Sequence, residues 1–294
     1  MTERDHDRAQ RTADIVARFD RAASTYELTG VDFFTTFGAR LVEHAAPRTG
    51  DHVLDVGCGT GAVLVPAARA VGPTGRVVGL DLAESMVQRC RAAIDDQDLH
   101  WAEAHVGDAG APSVEPGSFD QVLAGLVVFF LPDHRAALDA YRAALVPSGL
   151  LGFTTFGPQD QRFAPVFAAV SAHVPGATDD ADDDATAARR AQHGPFATAA
   201  SITSLLDAAG FVDVQHHDDH QDVRFEGPDH WIRWSWSHGM RELWEAVPPA
   251  SLPAAERDVA EVLDGLSGAD RLVQHWVVRT TLARTPAGRR PDRR

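Results

Sequence analysis

The sequence predicts an α/β protein in which a parallel sheet is wound with helices on both faces. Three observations predict it. Strand and helix patterns alternate from His52 to Phe156. The strand patterns are almost wholly apolar, as strands buried on both faces are. The first of them runs directly into a glycine-rich turn.

Residues 1–12 read as a loose polar tail. From Thr12 to His44 apolar residues recur at helical spacing (Ile15, Val16, Phe19, then Phe33, Phe34, Phe37, Leu41), so two or three helices precede the sheet, with a break at Gly30. His52–Val56 is the first strand and leads into Gly57-Cys58-Gly59-Thr60-Gly61. A helix over Ala62–Val71 stops at Gly72-Pro73. The second strand is Arg76–Leu80, ending at Asp81, and a helix follows over Ala83–Ile94. The third strand is Leu99–Val106, ending at Gly107-Asp108, and the fourth is Phe119–Gly125. A helix over Asp133–Leu145 has Asp133 as its N-cap. Pro147-Ser148-Gly149 turns the chain into a fifth strand, Leu150–Phe156.

Beyond Gly157 the alternation ends. An apolar piece (Phe163–Val174) is followed by the run Asp179–Asp184, which lacks the spaced ligands and closing Glu of a calcium loop and reads as a solvated loop. Thr198–Ala209 is a helix stopped by Gly210, and Phe211–His217 is a strand. Gly227–Leu266 reads as a helical insertion, Arg271–Arg284 as the last strand, and the arginine-rich end (Arg289, Arg290, Arg293, Arg294) as a frayed tail.

Composition narrows the class of function. The 294 residues are 44% hydrophobic and 23% charged, enough apolar side chain for a core and too little charge for disorder. The net charge of −15 argues against a nucleic-acid partner, because such proteins concentrate Lys and Arg. Cys58 and Cys90 are too few for a disulfide framework and suit a reduced compartment. Met1–Arg11 has no apolar signal-peptide core, and Val122–Pro132 is far short of the ~20 residues that span a bilayer. A cytoplasmic protein with no membrane insertion is expected.

The glycine turn carries the chemistry. A strand, a glycine turn and a helix N-terminus bring free backbone N–H groups to a ligand. A dinucleotide site is formally satisfied by Gly57, Gly59 and Ala62, with Asp81 as the acid on the second strand. It leaves Asp55 unexplained, an acid inside a buried strand where Val or Ile belongs and where a carboxylate is costly unless bonded.

The segment Asp55-Val56-Gly57-Cys58-Gly59-Thr60-Gly61 closely resembles the first motif of class I S-adenosylmethionine (SAM)-dependent methyltransferases. Gly107-Asp108-Ala109 resembles the third motif, and Phe119-Asp120 with Val122–Leu131 the fourth. The resemblance spans residues 45–157 and implies a Rossmann-like sheet of seven strands, Phe211–His217 and Arg271–Arg284 being the last two. It also implies roles. Asp55 steadies the loop and the methionine end of SAM; Gly57, Gly59 and Gly61 pass beneath it; Asp81 grips the ribose hydroxyls. Leu82 and Met86 flank the adenine, Asp108 meets its amino group, and Ala109 offers a backbone N–H next to Gly107. An acidic site suits a cofactor with a cationic sulfur.

Outside the motifs, Tyr26 sits where small-molecule members of that family carry an aromatic that closes over the cofactor. It is a candidate catalytic residue or a helix-packing one. Read as one helix, Asp229–Trp244 places Ile232, Trp236, Met240 and Leu243 on one face and Trp231, Trp234, His238 and Arg241 on the other. The second face would bind an aromatic or hydrophobic acceptor or form a homodimer contact, the alternative being a buried insertion helix. His238 is the candidate general base. His216, Asp218 and His220 share a strand face but lack further ligands, so no metal is expected.

These readings give three segments: an N-terminal helical cap (1–44), a SAM-binding core (45–157), and the remaining strands with cap insertions at 158–195 and 227–266 (158–294). The expected activity is methyl transfer by SN2 displacement to a small indole, phenol or prenyl-type acceptor, as in bacterial secondary-metabolite or quinone C-methyltransferases. The alternatives are an NAD(P)-dependent oxidoreductase and a non-catalytic SAM-binding partner. The chain has no Lys, and therefore no Tyr-x-x-x-Lys grouping for the former.

Overall fold

In the computed structural model, residues 3–26, 28–176, 194–266 and 272–288 are described. Seven strands form one sheet in the order β3-β2-β1-β4-β5-β7-β6. They are β1 (His52–Val56), β2 (Arg76–Asp81), β3 (Ala102–Val106), β4 (Phe119–Ala124), β5 (Leu145–Phe156), β6 (Val212–Phe225) and β7 (Leu272–Arg284). β1 to β5 pair in parallel, and β7 is inserted antiparallel to both β5 and β6.

Helices α1 (Glu3–Ala22) and α2 (Phe34–Ala45) precede the sheet, and α3 (Leu64–Val71), α4 (Glu84–Asp95) and α5 (His134–Ala144) connect its parallel strands. After β5 come α6 (Ala164–Ser171), α7 (Ala199–Ala208), α8 (Pro228–Trp236), α9 (Arg241–Glu245) and α10 (Leu252–Leu266). Side chains alternate across β1 as the period of a strand requires. Val53 packs with Leu64, Ala67 and Val87 on one face, and Leu54 and Val56 pack with Leu138 and Tyr141 on the other. A third cluster holds Phe33, Trp231, Trp234 and Trp244 with Phe225 of β6 and Trp276 of β7.

The expected α/β architecture is present, with four local corrections. The polar start is helical from Glu3, because residues 3–22 contain neither Gly nor Pro and the far end of the helix has Ile15, Val16 and Phe19 to bury. Strand β5 begins at Leu145 rather than Leu150: Leu145 pairs with Phe119, and the Pro147–Gly149 stretch is a bulge with Ser148 at φ 62°. Strand β6 continues to Phe225, well past His217. It is an edge strand, so polar side chains are tolerated along it, and Asp218 pairs across to Arg279 at 2.7 Å.

The insertion at 227–266 is three helices, not one long one. Between α8 and α9 the Ser235 and Ser237 hydroxyls donate to the carbonyls of Ile232 and Trp234 at 2.8 and 2.7 Å. Such bonds compete with the helix ladder, and Gly239 two residues on is a poor helix former. The runs 179–184 and 289–294 lie outside the described residues. Among the described residues no helix is long and apolar enough to cross a membrane.

Candidate active site

The carboxyl ends of β1, β2, β3 and β4 lie at one edge of the sheet, and each ends in a residue of a common cleft. In a doubly wound sheet this edge is where ligands are received. The loop after β1 is stitched to β2 by Gly57 and Cys58, whose N–H groups both donate to the Leu80 carbonyl at 2.7 and 3.0 Å. Gly57 has φ +70°, and a Cβ there would lie 2.5 Å from Val127 Cγ2. At Gly59 (φ +51°) a Cβ would meet nothing within 4 Å. The first glycine is therefore demanded by packing and backbone, while the second leaves open space above the loop.

Asp81 ends β2. Its carboxylate accepts from the Gly59 N–H and the Ala83 N–H, both at 2.9 Å, so it ties the glycine loop to the start of α4. Burial pushes its pKa above the ordinary carboxylate range, opposed by those N–H donors. Asp108, after β3, accepts from the Gly110 N–H at 2.7 Å, and the Tyr141 hydroxyl donates to the Ala109 carbonyl at 2.7 Å. Both bonds fix the shape of the Gly107–Gly110 turn.

Asp55 is fully buried in β1, between Gly79 of β2 and Leu123 of β4. Neither carboxylate oxygen has a well-formed hydrogen bond among the described residues. Burial, and then the charge of Asp81, push its pKa up to about 8, offset in part by the Leu64 N–H at the start of α3. A buried, unsatisfied acid beneath a glycine loop is an uncommon expense in a fold, and it fits a cationic ligand above the loop.

The cleft measures about 880 Å³ with its open mouth. Gly57, Gly59, Asp81, Leu82, Met86, Asp108 and Ala109 line it, while Asp55, Gly61 and Gly107 are not among its lining residues. Helix α1 covers it with Ile15, Val16 and Phe19 and is held to α4 by Asp20, which accepts from the Ser85 N–H at 3.1 Å. Asp120 is elsewhere: it accepts from the His52 N–H at 2.9 Å, at the amino end of the strands.

A second cleft of about 740 Å³ adjoins the first. Phe19, Tyr26, Phe34, Leu126 and Phe130 line both, so one wall serves two spaces. Tyr26 stacks on Phe34 with ring centroids 4.7 Å apart. Leu126 has φ +52°, strained for a branched residue, and its N–H donates to Thr154 Oγ1 at 2.8 Å. The rest of the second cleft is aromatic (Phe33, Phe129, Phe156, Trp234, Trp276), with Gln159, His238 and Glu242 as its polar side chains besides Tyr26.

The break between α8 and α9 rearranges the two faces expected of a single helix. Trp234 and His238 reach the second cleft, and Met240 and Leu243 from the opposite expected face join them there. Trp231 does not reach it; its indole N–H donates to Gln274 Oε1 at 2.9 Å in the core against Phe163. Arg241 also turns away, donating to the Trp236 carbonyl at 3.0 Å and lying over the Trp236 ring at 5.5 Å. Both depart from the acceptor face read off the sequence.

His238 also departs from its expected role as a base. Burial pulls its pKa down to about 3. Its Nδ1 accepts the Met240 N–H at 3.3 Å, so in the neutral ring the proton is on Nε2, which has no partner among the described residues. His238 therefore presents a donor. Residues the sequence did not single out are Gln159, Phe156 and Trp276, which come from β5, the loop after it and β7. Trp276 carries the clearest missed signal, an indole inside a strand.

His216, Asp218 and His220 each have a protein partner: Thr203 and Thr281, Arg279, and His275 respectively. Among the described residues no group of three or more His, Cys, Asp or Glu could hold a metal ion.

A glycine loop over a buried acid, acids closing strands two and three, and a sheet with one inverted strand define a SAM-dependent methyltransferase fold and site. A methyltransferase-domain family model matches residues 53–149. Nocamycin O-methyltransferase of Saccharothrix syringae is 35% identical over 280 residues, covering 93% of this chain and 99% of its own. Aklanonic acid methyltransferase DauC of Streptomyces sp. (strain C5) is 42% identical over 141 residues, 48% of this chain and 64% of its own. Among solved structures, a methyltransferase-like protein of Bacillus halodurans C-125 superposes with a TM-score of 0.56 at 20% identity, over 85% of this chain and 99% of that one, a likeness of fold. The chain belongs to the class I SAM-dependent methyltransferases, in their bacterial small-molecule branch, and is an enzyme of that class rather than an oxidoreductase.

Proposed function

We propose that this enzyme transfers the methyl group of SAM to an oxygen of a small, flat, hydrophobic metabolite, a phenol-like ring system fitting better than an aliphatic one. One observation carries the reading: a glycine-loop cleft lined by Asp81 and Asp108 shares a wall with an aromatic cleft. Oxygen is favoured as the acceptor atom by the relative that spans nearly the whole chain, which is named as an O-methyltransferase.

The residues present fit SAM. Asp81 keeps lone pairs for ribose hydroxyls after its two loop N–H bonds, and Leu82 and Met86 supply apolar faces for adenine. Asp108 and the Ala109 N–H suit the adenine edge, and Gly107 keeps that turn tight. The loop Gly57–Gly61 would receive the methionine end, with the buried carboxyl of Asp55 beneath it, whose ionised form a cationic ligand would favour. When bound, SAM supplies a methyl group on a cationic sulfur, an electrophile that needs no further activation. This chain's own part is to hold the acceptor oxygen in line and keep water out, which brings large rate gains when geometry is met. Tyr26 sits at the junction of the two clefts, where it can orient the acceptor.

Calorimetric titration with S-adenosylhomocysteine (SAH), with NADH as control, tests the cofactor. Binding of SAH alone is expected; binding of NADH alone would overturn the reading. Methyl transfer from labelled SAM to a panel of flat aromatic phenols, with aliphatic alcohols of similar size as controls, then tests the acceptor class.

A further inference from the structure

At the amino end of the strands, away from the glycine loop, lies a third cleft of about 950 Å³ with its open mouth, lined from the end of α2 and from β4, β5, β6 and β7. It shares no residue with the other two clefts. Gln121 of β4, 6% exposed, is part of its wall. Its Nε2 donates to the carbonyl of Ala45, the last residue of α2, at 3.2 Å. That bond settles which end of the amide is which, because an oxygen turned towards Ala45 would meet another acceptor. Gln121 Oε1 is then left buried with no partner among the described residues. Such an atom is rare in a folded protein and needs a reason, and a ligand that satisfies it must donate.

The charge of the cleft says what kind of donor. Asp120, 7% exposed, adjoins Gln121 in β4, and its carboxylate accepts from the His52 N–H at 2.9 Å, a bond that leaves its negative charge in place. Asp51 and Asp213 add two more carboxylates to the lining. The carboxyl end of the twelve-residue α2 adds partial negative charge of its own. The cations lie further out or are engaged. Arg48 and Arg284 are exposed, Arg284 donating to the Ser148 carbonyl at 3.1 Å, and the His44 ring is held by Asp219 at 3.1 Å. Leu150 and Leu282 supply apolar surface beside the buried polar pair.

We propose that this third cleft is a second binding site, for a primary ammonium group on a short apolar stem, with the ammonium donating to Gln121 Oε1 in the field of Asp120. A hydroxyl could donate to the amide but would leave the negative charge unanswered. A quaternary cation would answer the charge but has no N–H to give. A primary ammonium does both, and its hydrogen bonds, being charge-assisted, are among the stronger ones. The group can belong to a simple amine or to an amino acid, whose carboxylate would then meet the exposed Arg48 and Arg284. The site stands apart from methyl transfer: Gln121 and Gly125, a residue of the first cleft, are separated by roughly 13 Å along β4.

The test is a proton–nitrogen NMR titration of the full chain at constant pH and ionic strength. The probes are n-butylammonium, its neutral counterpart 1-butanol, tetramethylammonium as a cation without N–H, and L-norleucine. Butylammonium is expected to shift the Gln121 side-chain amide, identified by its absence from Gln121→Leu, and to bind at least about tenfold more tightly than 1-butanol or tetramethylammonium. Norleucine binding more tightly than butylammonium would assign the amino acid as the source of the ammonium; weaker binding would assign the simple amine. Gln121→Leu should lose about tenfold for butylammonium and little for 1-butanol. Because that variant also gives up the bond to Ala45, a second is needed: Asp213→Asn, exposed and at φ 55°, which Asn tolerates, should weaken butylammonium by about threefold. Unchanged SAH affinity reports an intact fold in both. Butylammonium bound no better than 1-butanol or tetramethylammonium, no binding of either ammonium compound, or full binding by a folded Gln121→Leu protein would each overturn the proposal. None of these outcomes touches the methyltransferase reading, which SAH binding tests separately.

Discussion

Asp55 and Asp81 show how much a single side chain can report. A carboxylate in the middle of an apolar strand is legible at once as a functional residue, because nothing in a buried strand asks for it. Its cost is measurable. The folded pKa of about 8 against an ordinary 3.8 means the folded protein holds a proton that the unfolded chain has released between those values. The stability this proton brings is full below pH 3.8 and lost as pH rises through about 8, by up to ~1.4 kcal/mol per pH unit. Asp55→Asn should therefore stabilise the protein without added cofactor at pH 8 far more than at pH 5, in urea titrations of both proteins. A gap that does not widen with pH would mean Asp55 is not a buried acid of this kind. Asp81→Ala should weaken SAH binding by ~2 kcal/mol, about thirtyfold, by calorimetry. His238 was visible as a candidate but not in its role, since tautomer and burial are set by Met240, Phe34 and Trp234, which only the folded chain brings around it.

At the scale of elements, helix ends and buried strands are the most legible parts. Asp133 caps α5 as its place after Pro132 suggests, accepting from the Ala136 N–H at 2.9 Å. Thr198 begins α7 with a reciprocal box: Ser201 N–H to Thr198 Oγ1 and Thr198 N–H to Ser201 Oγ, both 3.1 Å. Thr198→Ala should cost ~1 kcal/mol of stability in urea denaturation and leave SAH binding unchanged. The α8–α9 break and the length of β6 were not legible. Hydroxyl groups bonding back to carbonyls decide the first, and pairing with a strand some fifty residues away decides the second, so neither is a property of local periodicity.

For the molecule as a whole, strand alternation discloses the parallel half of the sheet, but not the place of β7 between β5 and β6. That inversion carries Trp276 from the last strand to a cleft otherwise built from residues between Phe19 and Phe167 and from the α8–α9 region. The net charge of the whole, −15, suits a cationic cofactor. Occupancy of the first cleft should stabilise the entire domain, because the cleft is lined from α1, from the loops after β1, β3 and β4, and from the end of β2. SAH at 100 times its Kd should add ~2.7 kcal/mol, raising Tm by roughly 4 °C in a thermal scan, with no shift from NADH.

Phe19, Tyr26, Phe34, Leu126 and Phe130 belong to both clefts at once. Whatever settles these five side chains for one guest has settled them for the other, so the second arrival finds part of its ordering entropy already spent. The two guests should thus help each other. The factor by which SAH tightens an aromatic ligand of the second cleft must equal the factor by which that ligand tightens SAH, and both should exceed one. In an enzyme so arranged, whichever guest leaves first loosens the hold on the other.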